Sequence, residues 1–199
     1  MKVKVTPSKV HGNVKIPASK SMAHRALICA SLSDGTSLVS NVTNSKDIEA
    51  TVGCMKALGA IIKQIDGTTY EVTGTNLFKQ EGNITCNANE SGSTLRFLIP
   101  LAACTNAKVK FLGQGRLLQR PMDVYANEFK KQNIEFNQSD KEIIVSGNLQ
   151  AKDYVVQGDI SSQFITGFMF VLPLLNQDST LTITEPYESK SYVNLTIQM

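Results

Sequence analysis

The chain has 199 residues, of which 42% are hydrophobic and 19% charged, so it can bury a core and is not disordered throughout. No apolar run approaches the roughly 18 residues of a membrane span, and the N-terminus MKVKVTPSKV lacks the pattern of a signal or transit peptide. A net charge of +3 argues against nucleic acid as the main partner and permits a small anionic ligand.

The first predicted unit spans residues 18–80. A Ser/Lys turn precedes the apolar helix SMAHRALICASL, and the strand SLVSNV follows it. The next helix is capped by Asn44 or Ser45 and ends at Gly59. IIKQI and TTYEVTG, joined by an Asp-Gly turn, predict a hairpin.

The same order recurs in residues 81–148 and 149–199. In the second unit ESGS precedes the helix TLRFLIPLAAC, and in the third GDISS precedes QFITGFMFVLPLL. Each unit therefore reads as βαβαββ. The third stops after the start of its second helix, SKSYVNLTIQM, so we expect a truncated chain that lacks roughly 25–35 residues of the repeat. The alternative is a divergent third unit that simply ends.

The first helix of each unit is apolar on nearly every face, which is typical of a helix buried on all sides. The sequence thus predicts an α/β (α+β) fold with helices inside and sheets outside. Pro100 and Pro173 fall within these helices and are expected to kink or end them.

Few residues point to metal or redox chemistry. The cysteines, Cys29, Cys54, Cys86 and Cys104, show no CxxC spacing, which argues against a zinc site or a disulfide scaffold and favours a reducing cytoplasm. His24 lies inside the first apolar helix and is interpreted as a packed histidine rather than a base. We expect neither a metal nor a cofactor.

The starts of the three apolar helices are the candidate site. They carry Ser19-Lys20-Ser21, Glu90-Ser91-Gly92-Ser93 and Ser161-Ser162-Gln163. A serine at such a position is ordinarily an N-cap, but unpaired N–H groups and the helix dipole also bind anions. The threefold repetition, with Lys20 and Arg25 on one unit and Arg96 on the next, favours an anion site where the helix starts converge.

Arginine is rare in this chain. Only four of its 20 basic residues are arginine: Arg25, Arg96, Arg116 and Arg120. A guanidinium binds carboxylate or phosphate in a planar, bidentate way. If the segment between Arg116 and Arg120 begins a helix, the two lie on one face, where cations are unfavourable unless an anion compensates. The alternative is that all four are ordinary surface arginines.

The motifs PASKSMAHRAL, ESGSTLRF, GQGRLLQRPM, DISSQF and SKSY, in this order, make the chain similar to the N-terminal half of the EPSP synthase (3-phosphoshikimate 1-carboxyvinyltransferase) family. The family fold has two lobes, each of three βαβαββ units. The resemblance implies that residues 1–17 are strands of the other lobe and that residues 18–199 form the first lobe. It also implies a cytoplasmic, monomeric transferase of the shikimate pathway, which makes aromatic amino acids, with no membrane or nucleic-acid partner.

By this resemblance the chain binds two substrates, and a missing C-terminal lobe is its partner. The expected shikimate 3-phosphate ligands are Lys20, Ser21, Arg25, Ser161, Ser162, Gln163, Ser189 and Tyr192. The expected phosphoenolpyruvate ligands are Lys20, Gly92, Arg120 and Gln163. Lys20 touches both substrates and is the expected catalytic residue of this half, while Arg96 and Arg116 support the site.

The resemblance leaves some points open. Glu90 stands where many family members have Asn, and we expect it to pair with a nearby Lys or Arg. The acid–base residues belong to the other lobe, so Asp47 and Asp159 are interpreted as orienting neighbours of arginine and serine residues. One alternative is UDP-N-acetylglucosamine enolpyruvyl transferase, whose active-loop cysteine is missing from GQGRLLQRPM. The other is an inactive anion-binding half-domain.

Overall fold

The structure is a computed structural model that describes residues 2–199. Residues 2–19 form neither a helix nor a strand and lie almost wholly exposed. Their apolar side chains face solvent, with Val10 95% exposed and Ile16 85% exposed. The assignment of residues 1–17 to strands of another lobe stays a prediction, and Met1 lies outside the described residues.

The first unit forms a three-stranded antiparallel sheet. Its elements are α1 (Lys20–Leu32), β1 (Thr36–Val39), α2 (Lys46–Ala57), β2 (Ile61–Gln64) and β3 (Tyr70–Thr73), and the strand order is β1-β3-β2. Of the two predicted caps for α2, Ser45 fills the role, since its Oγ accepts from the Ile48 N–H at 3.3 Å. Gly59 follows the helix at φ +102°, where a glycine is favoured.

The second unit is a complete βαβαββ repeat. Its elements are β4 (Glu81–Asn87), α3 (Gly92–Ala102), β5 (Asn106–Leu112), α4 (Asp123–Lys131), β6 (Glu135–Gln138) and β7 (Ile143–Ser146). The strand order is β4-β5-β7-β6, with β4 and β5 parallel and the other pairs antiparallel.

The third unit comprises β8 (Asp153–Gln157), α5 (Ser162–Val171), β9 (Thr180–Thr184) and α6 (Lys190–Ile197). β8 and β9 pair in parallel, as β4 and β5 do, whereas the β1-β3-β2 sheet repeats the order β5-β7-β6. The second unit thus shows the predicted βαβαββ order in full, and the third shows it as far as its second helix. Within residues 2–199 the first unit lacks the opening strand, so for that unit the predicted order is wrong.

The three apolar helices form the centre of the core. The ring of Phe97 on α3 lies 6.4 Å from that of His24 on α1 and 5.5 Å from that of Phe170 on α5. In β3 and β7 buried and half-buried residues alternate, so one face of each strand packs inward. The predicted α/β fold, with helices inside and sheets outside, is confirmed.

Pro173 and Pro121 lie at local boundaries, whereas Pro100 lies inside a helix. Pro173 ends α5, which continues only as a 3₁₀ turn over Leu172–Leu174, whereas α3 continues past Pro100 to Ala102. The condition of a helix from Arg116 to Arg120, on which their sharing a face depended, is not met. A 3₁₀ turn covers Leu117–Gln119, and Arg120 is extended because the ring of Pro121 disfavours helical backbone before it. Helix α4 begins two residues after Pro121.

Candidate anion-binding site

Each apolar helix starts with a serine cap. Ser19 Oγ accepts from the Met22 N–H at 3.3 Å, Ser91 Oγ from Thr94 at 3.2 Å and Ser161 Oγ from Gln163 at 3.3 Å. These serine oxygens thus satisfy helix donors, as the cap interpretation holds. The other N–H groups of each first turn, and the helix dipole, remain for a ligand.

Polar contacts connect the first two helix starts. Lys20 Nζ lies 2.6 Å from Asp47 Oδ2 at the start of α2, and the Asp47 carbonyl accepts from Thr94 Oγ1 at 3.3 Å. The lysine side chain is 55% exposed, so its ammonium faces solvent on one side. Asp47 thus orients a lysine rather than the arginine or serine expected.

A second cluster joins the starts of α3 and α5. Gln163 donates through Nε2 to Ser93 Oγ at 2.9 Å and accepts at Oε1 from Arg96 Nη1 at 2.8 Å. A Cβ placed on Gly92 would lie 2.6 Å from Arg120 Nη1 and 3.8 Å from Gln163 Oε1. The absence of a side chain at Gly92 therefore lets the Arg120 guanidinium lie against the first turn of α3.

Two arginines meet in this cluster. Arg96 is half-buried, its Nε is buried and has no hydrogen-bond partner among residues 2–199, and its guanidinium lies 4.9 Å from the centre of the Phe164 ring. Burial, and then the charge of Arg120, lower the pKa of Arg96. No ion pair within residues 2–199 involves Arg96 or Arg120, so a bound anion would relieve their mutual repulsion.

Arg25 differs from Arg96 in its burial and in its hydrogen bonds. It is only 3% exposed, and its Nε donates to Thr196 Oγ1 at 2.8 Å. Nη1 donates to the Ser21 carbonyl at 2.8 Å, and Nη2 to Thr166 Oγ1 at 3.2 Å and the Tyr192 carbonyl at 3.0 Å. Burial lowers its pKa. These bonds use four of the five guanidinium N–H groups and tie α1 to α5 and α6.

Three further predicted shikimate 3-phosphate ligands lie on α5 or at the start of α6, the helices that Arg25 ties to α1. Ser162 lies one helical turn before Thr166 and so shares its face of α5. Tyr192 reaches Arg25 through its carbonyl while its side chain is 48% exposed. Ser189 precedes α6 at φ +54°, exposed and without a side-chain cap bond.

Within residues 2–199, two predicted neighbours form neither hydrogen bond nor ion pair with the charge cluster. Arg116 is exposed at the start of the 3₁₀ turn and makes no side-chain hydrogen bond or ion pair within residues 2–199. Glu90 forms no ion pair among these residues either, contrary to expectation. Its Oε1 instead lies over Gly115, 2.6 Å from where a Cβ would stand.

Sequence reasoning missed a buried polar chain beneath the helix starts. His24 Nδ1 lies 2.7 Å from Thr51 Oγ1, which lies 2.7 Å from Thr94 Oγ1, and Thr94 Oγ1 lies 2.7 Å from Ser91 Oγ. Burial lowers the pKa of His24 to about 4, which keeps the ring neutral near pH 7. The interpretation of His24 as a packed histidine is confirmed, although its hydrogen-bond partners were not foreseen.

The described residues offer little support for other kinds of site. Within residues 2–199 no group of three or more His, Cys, Asp and Glu side chains is arranged to hold a metal ion. Across the same range, no helix combines the length and apolar character needed to cross a membrane.

The chain is similar to known proteins in family, sequence and structure. A family model described as EPSP synthase (3-phosphoshikimate 1-carboxyvinyltransferase) matches residues 5–199. The 3-phosphoshikimate 1-carboxyvinyltransferase of Clostridium kluyveri is 48% identical, covering 99% of this chain and 46% of that protein. The protein of the same name from Clostridium perfringens is 47% identical, covering 100% of this chain and 47% of that one.

The fold also has a solved counterpart. EPSP synthase from Acinetobacter baumannii superposes with a TM-score of 0.74 at 18% identity, covering 92% of this chain and 42% of the other. The chain spans about half the length of the curated relatives that it matches. By the family match and these relatives, the chain belongs to the EPSP synthase family.

Proposed function

We propose that the chain is the N-terminal lobe of an EPSP synthase. It would bind shikimate 3-phosphate and part of phosphoenolpyruvate for transfer of the enolpyruvyl group to the 5-hydroxyl, with release of phosphate. The two Clostridium relatives are named 3-phosphoshikimate 1-carboxyvinyltransferase, after this reaction. One observation carries the proposal: Arg120 lies against the start of α3 beside Arg96, whose Nε has no partner.

The phosphoenolpyruvate part of the site is the cluster around Gly92. The phosphate and carboxylate of this substrate need several cationic donors, and here Arg96 and Arg120 meet a helix N-terminus. Gln163 is held by Arg96 and Ser93, so its amide is fixed between α3 and α5. A site of this kind holds both reactants close, which replaces a bimolecular encounter with a near-unimolecular step.

Lys20 is the residue proposed to touch both substrates. Its ammonium is exposed on one side and paired with Asp47 on the other, so an anion can approach without leaving the carboxylate unpaired. The pair sits at the starts of α1 and α2, and the Asp47 carbonyl connects it to α3.

At the proposed shikimate 3-phosphate site, Arg25 acts mainly through its charge and little through direct contact. Its partners are all neutral hydroxyls and carbonyls, and within residues 2–199 no carboxylate pairs with it. The buried positive charge is therefore not neutralised and attracts an anion toward the starts of α1 and α5. Only one N–H of Arg25, on Nη1, remains for direct contact with the substrate. The other proposed ligands lie on the helices that Arg25 ties together or at their starts: Ser21, Ser162, Ser189 and Tyr192.

We also propose that the whole protein has a second lobe, acts in the cytoplasm and is a monomer. The acid–base residues of the reaction would come from that lobe, so we expect the 199-residue chain alone to show no turnover. It would bind shikimate 3-phosphate weakly and phosphoenolpyruvate barely, because water screens ion pairs in an open half-site.

The test replaces the matching half of the Clostridium kluyveri relative with this chain. We expect phosphate release that requires both shikimate 3-phosphate and phosphoenolpyruvate. Lys20→Met should abolish most of it, whereas Lys46→Met, a change of an exposed lysine at the start of α2, should not. Release that proceeds with UDP-N-acetylglucosamine in place of shikimate 3-phosphate, or equal losses in both variants, would contradict the proposal.

A further inference from the structure

Helix α3 contains a gap in its backbone hydrogen bonds. Pro100 lies inside the helix and has no N–H, so the carbonyl of Arg96, four residues earlier, lacks its helical donor. A buried carbonyl without a donor is costly, and the helix nevertheless continues to Ala102. Some other group must therefore satisfy this oxygen.

Tyr125 on α4 supplies the missing donor. Its hydroxyl donates to the Arg96 carbonyl at 2.6 Å and lies 3.4 Å from the Phe164 carbonyl on α5. The side chain is fully buried, and its ring packs edge-on to the rings of Phe164 and Phe168. Burial raises the pKa of the phenol, which keeps the donated proton in place.

Gly167 on α5 makes room for this contact. A Cβ at that position would collide with the Tyr125 hydroxyl and would lie 2.7 Å from the Arg96 carbonyl and 3.2 Å from Pro100 Cγ. The proline ring, the tyrosine hydroxyl and the glycine thus fit together at the crossing of α3 and α5. Tyr125 and Gly167 meet Arg96 at its backbone carbonyl.

We propose that Tyr125 is a positioning residue for Arg96. Its hydroxyl replaces the missing helical donor at the Arg96 carbonyl and so holds the backbone that carries the Arg96 side chain. Holding this backbone fixes the guanidinium where it stacks on Phe164, meets Gln163 and lies near Arg120. The catalytic consequence rests on the proposed function, but the repair of the backbone gap does not.

The test is a double-mutant cycle in the fused protein described above. Tyr125→Phe should raise the KM for phosphoenolpyruvate about fivefold and leave kcat nearly unchanged, since Arg96 is held less firmly toward bound substrate. In a Pro100→Ala background the alanine N–H restores the helical donor, so adding Tyr125→Phe should change KM by less than about twofold. An equal rise in both backgrounds would overturn the proposal.

A matched control separates this role from general loss of a buried tyrosine hydroxyl. Tyr70 is also buried, and its hydroxyl donates to Asn44 Oδ1 at 2.6 Å in the first unit. Tyr70→Phe should leave the KM for phosphoenolpyruvate unchanged. A rise as large as that of Tyr125→Phe would show a merely structural effect and would overturn the proposal.

A second readout needs no activity. In the 199-residue chain, Tyr125→Phe should shift the Arg96 Nε–Hε NMR signal and speed its exchange with solvent, and Pro100→Ala should reverse both changes. If the fused protein shows no transfer but this reversal is seen, only the proposed function fails. If the Arg96 signal does not respond to Tyr125→Phe, or Pro100→Ala does not reverse the response, the positioning role fails.

Discussion

Two arginines stand near the starts of buried helices in successive repeats, 71 residues apart, and the structure gives them opposite states. Arg25 is almost fully buried and donates four hydrogen bonds to neutral groups of the protein. Arg96 is half-buried, donates one to Gln163 and has a buried Nε without a partner. The same sequence pattern therefore yields a structural tie in one repeat and, in the next, a cation with fewer hydrogen bonds among the described residues, which we propose binds the anion.

The difference comes from what packs beside each helix. Against α1 lies α6, whose Thr196 hydroxyl and Tyr192 carbonyl accept from Arg25. Against the start of α3 lies the loop that carries Arg120, which offers another donor and no acceptor to the guanidinium of Arg96. A guanidinium among acceptors is satisfied by the fold, and one beside a second guanidinium is left for a ligand.

Among the variants that test the contrast between Arg25 and Arg96, Arg25→Ala should lower the free energy of unfolding most. It removes four hydrogen bonds and leaves Thr166 and Thr196 hydroxyls to find other partners, so we expect a loss of about 4 kcal/mol in the free energy of unfolding. Urea unfolding of the 199-residue chain measures it. Arg116→Ala, which removes an exposed guanidinium, is the control and should unfold at nearly the wild-type urea concentration. Equal stability of the two variants would remove the contrast between a tie and a free cation.

For the same reason, Arg25→Ala is a poor test of ligand binding. A variant that loosens α5 and α6 loses affinity whether or not Arg25 touches shikimate 3-phosphate. Lys20 is exposed and pairs only with Asp47, so its replacement changes the site with little effect on the core.

The second largest effect concerns His24, one residue from Arg25 and faced by Asp47, Lys20 and Arg25. Burial holds its pKa at about 4, below the 6.5 of an unfolded histidine, so the unfolded chain binds the extra proton first. The contribution of neutral His24 to the free energy of unfolding is fully present above pH 6.5 and is lost as the pH falls toward 4. We expect the free energy of unfolding to fall by about 3 kcal/mol over this range because of His24.

Urea unfolding at several pH values measures the His24 effect. In His24→Gln the part of the slope between pH 4 and 6.5 that exceeds the carboxylate background should vanish. A wild-type chain and a His24→Gln variant with parallel pH profiles would show that His24 is not buried as a neutral ring.

Much of this arrangement could be predicted from sequence, because helix starts and repeats are local signals. Serine before an apolar run identified the caps of α1, α3 and α5, and the repeat identified which helices lie inside. The clustering of Gly92, Arg120 and Gln163 was expected only from the family resemblance, since these residues are far apart in the chain.

The rest depended on contacts that no local pattern encodes. The Arg25 tie needs Thr196, which is 171 residues away. Tyr125 reads as an ordinary core aromatic, and only its distance to the carbonyl freed by Pro100 shows what its hydroxyl does. The helix considered between Arg116 and Arg120 does not form, because Pro121 keeps Arg120 in extended backbone.

A smaller effect is expected at the helix crossing that supports Arg96. Gly167→Ala places a Cβ against the Tyr125 hydroxyl and the Arg96 carbonyl, so we expect a loss of about 2 kcal/mol. Gly53→Ala is the control, since Gly53 lies in α2 with nothing within 4 Å of an added Cβ. Its gain in helix propensity should stabilise the chain by about 0.5–1 kcal/mol. Urea unfolding that ranks the two alanine variants the other way would mean that α3 and α5 do not cross this closely.

The smallest effect on stability is expected for Arg96→Ala. The variant loses one hydrogen bond to Gln163 and the stacking on Phe164, but it also removes a partly buried charge with an unpaired Nε, so the net change should be below about 1 kcal/mol. In the fused protein the same change should raise the KM for phosphoenolpyruvate about tenfold, because a charge-assisted bond to the anion is lost. Arg116→Ala should change neither quantity. An Arg96→Ala variant that unfolds as readily as Arg25→Ala, with an unaltered KM, would mean that Arg96 is also a structural tie and that the anion is held elsewhere.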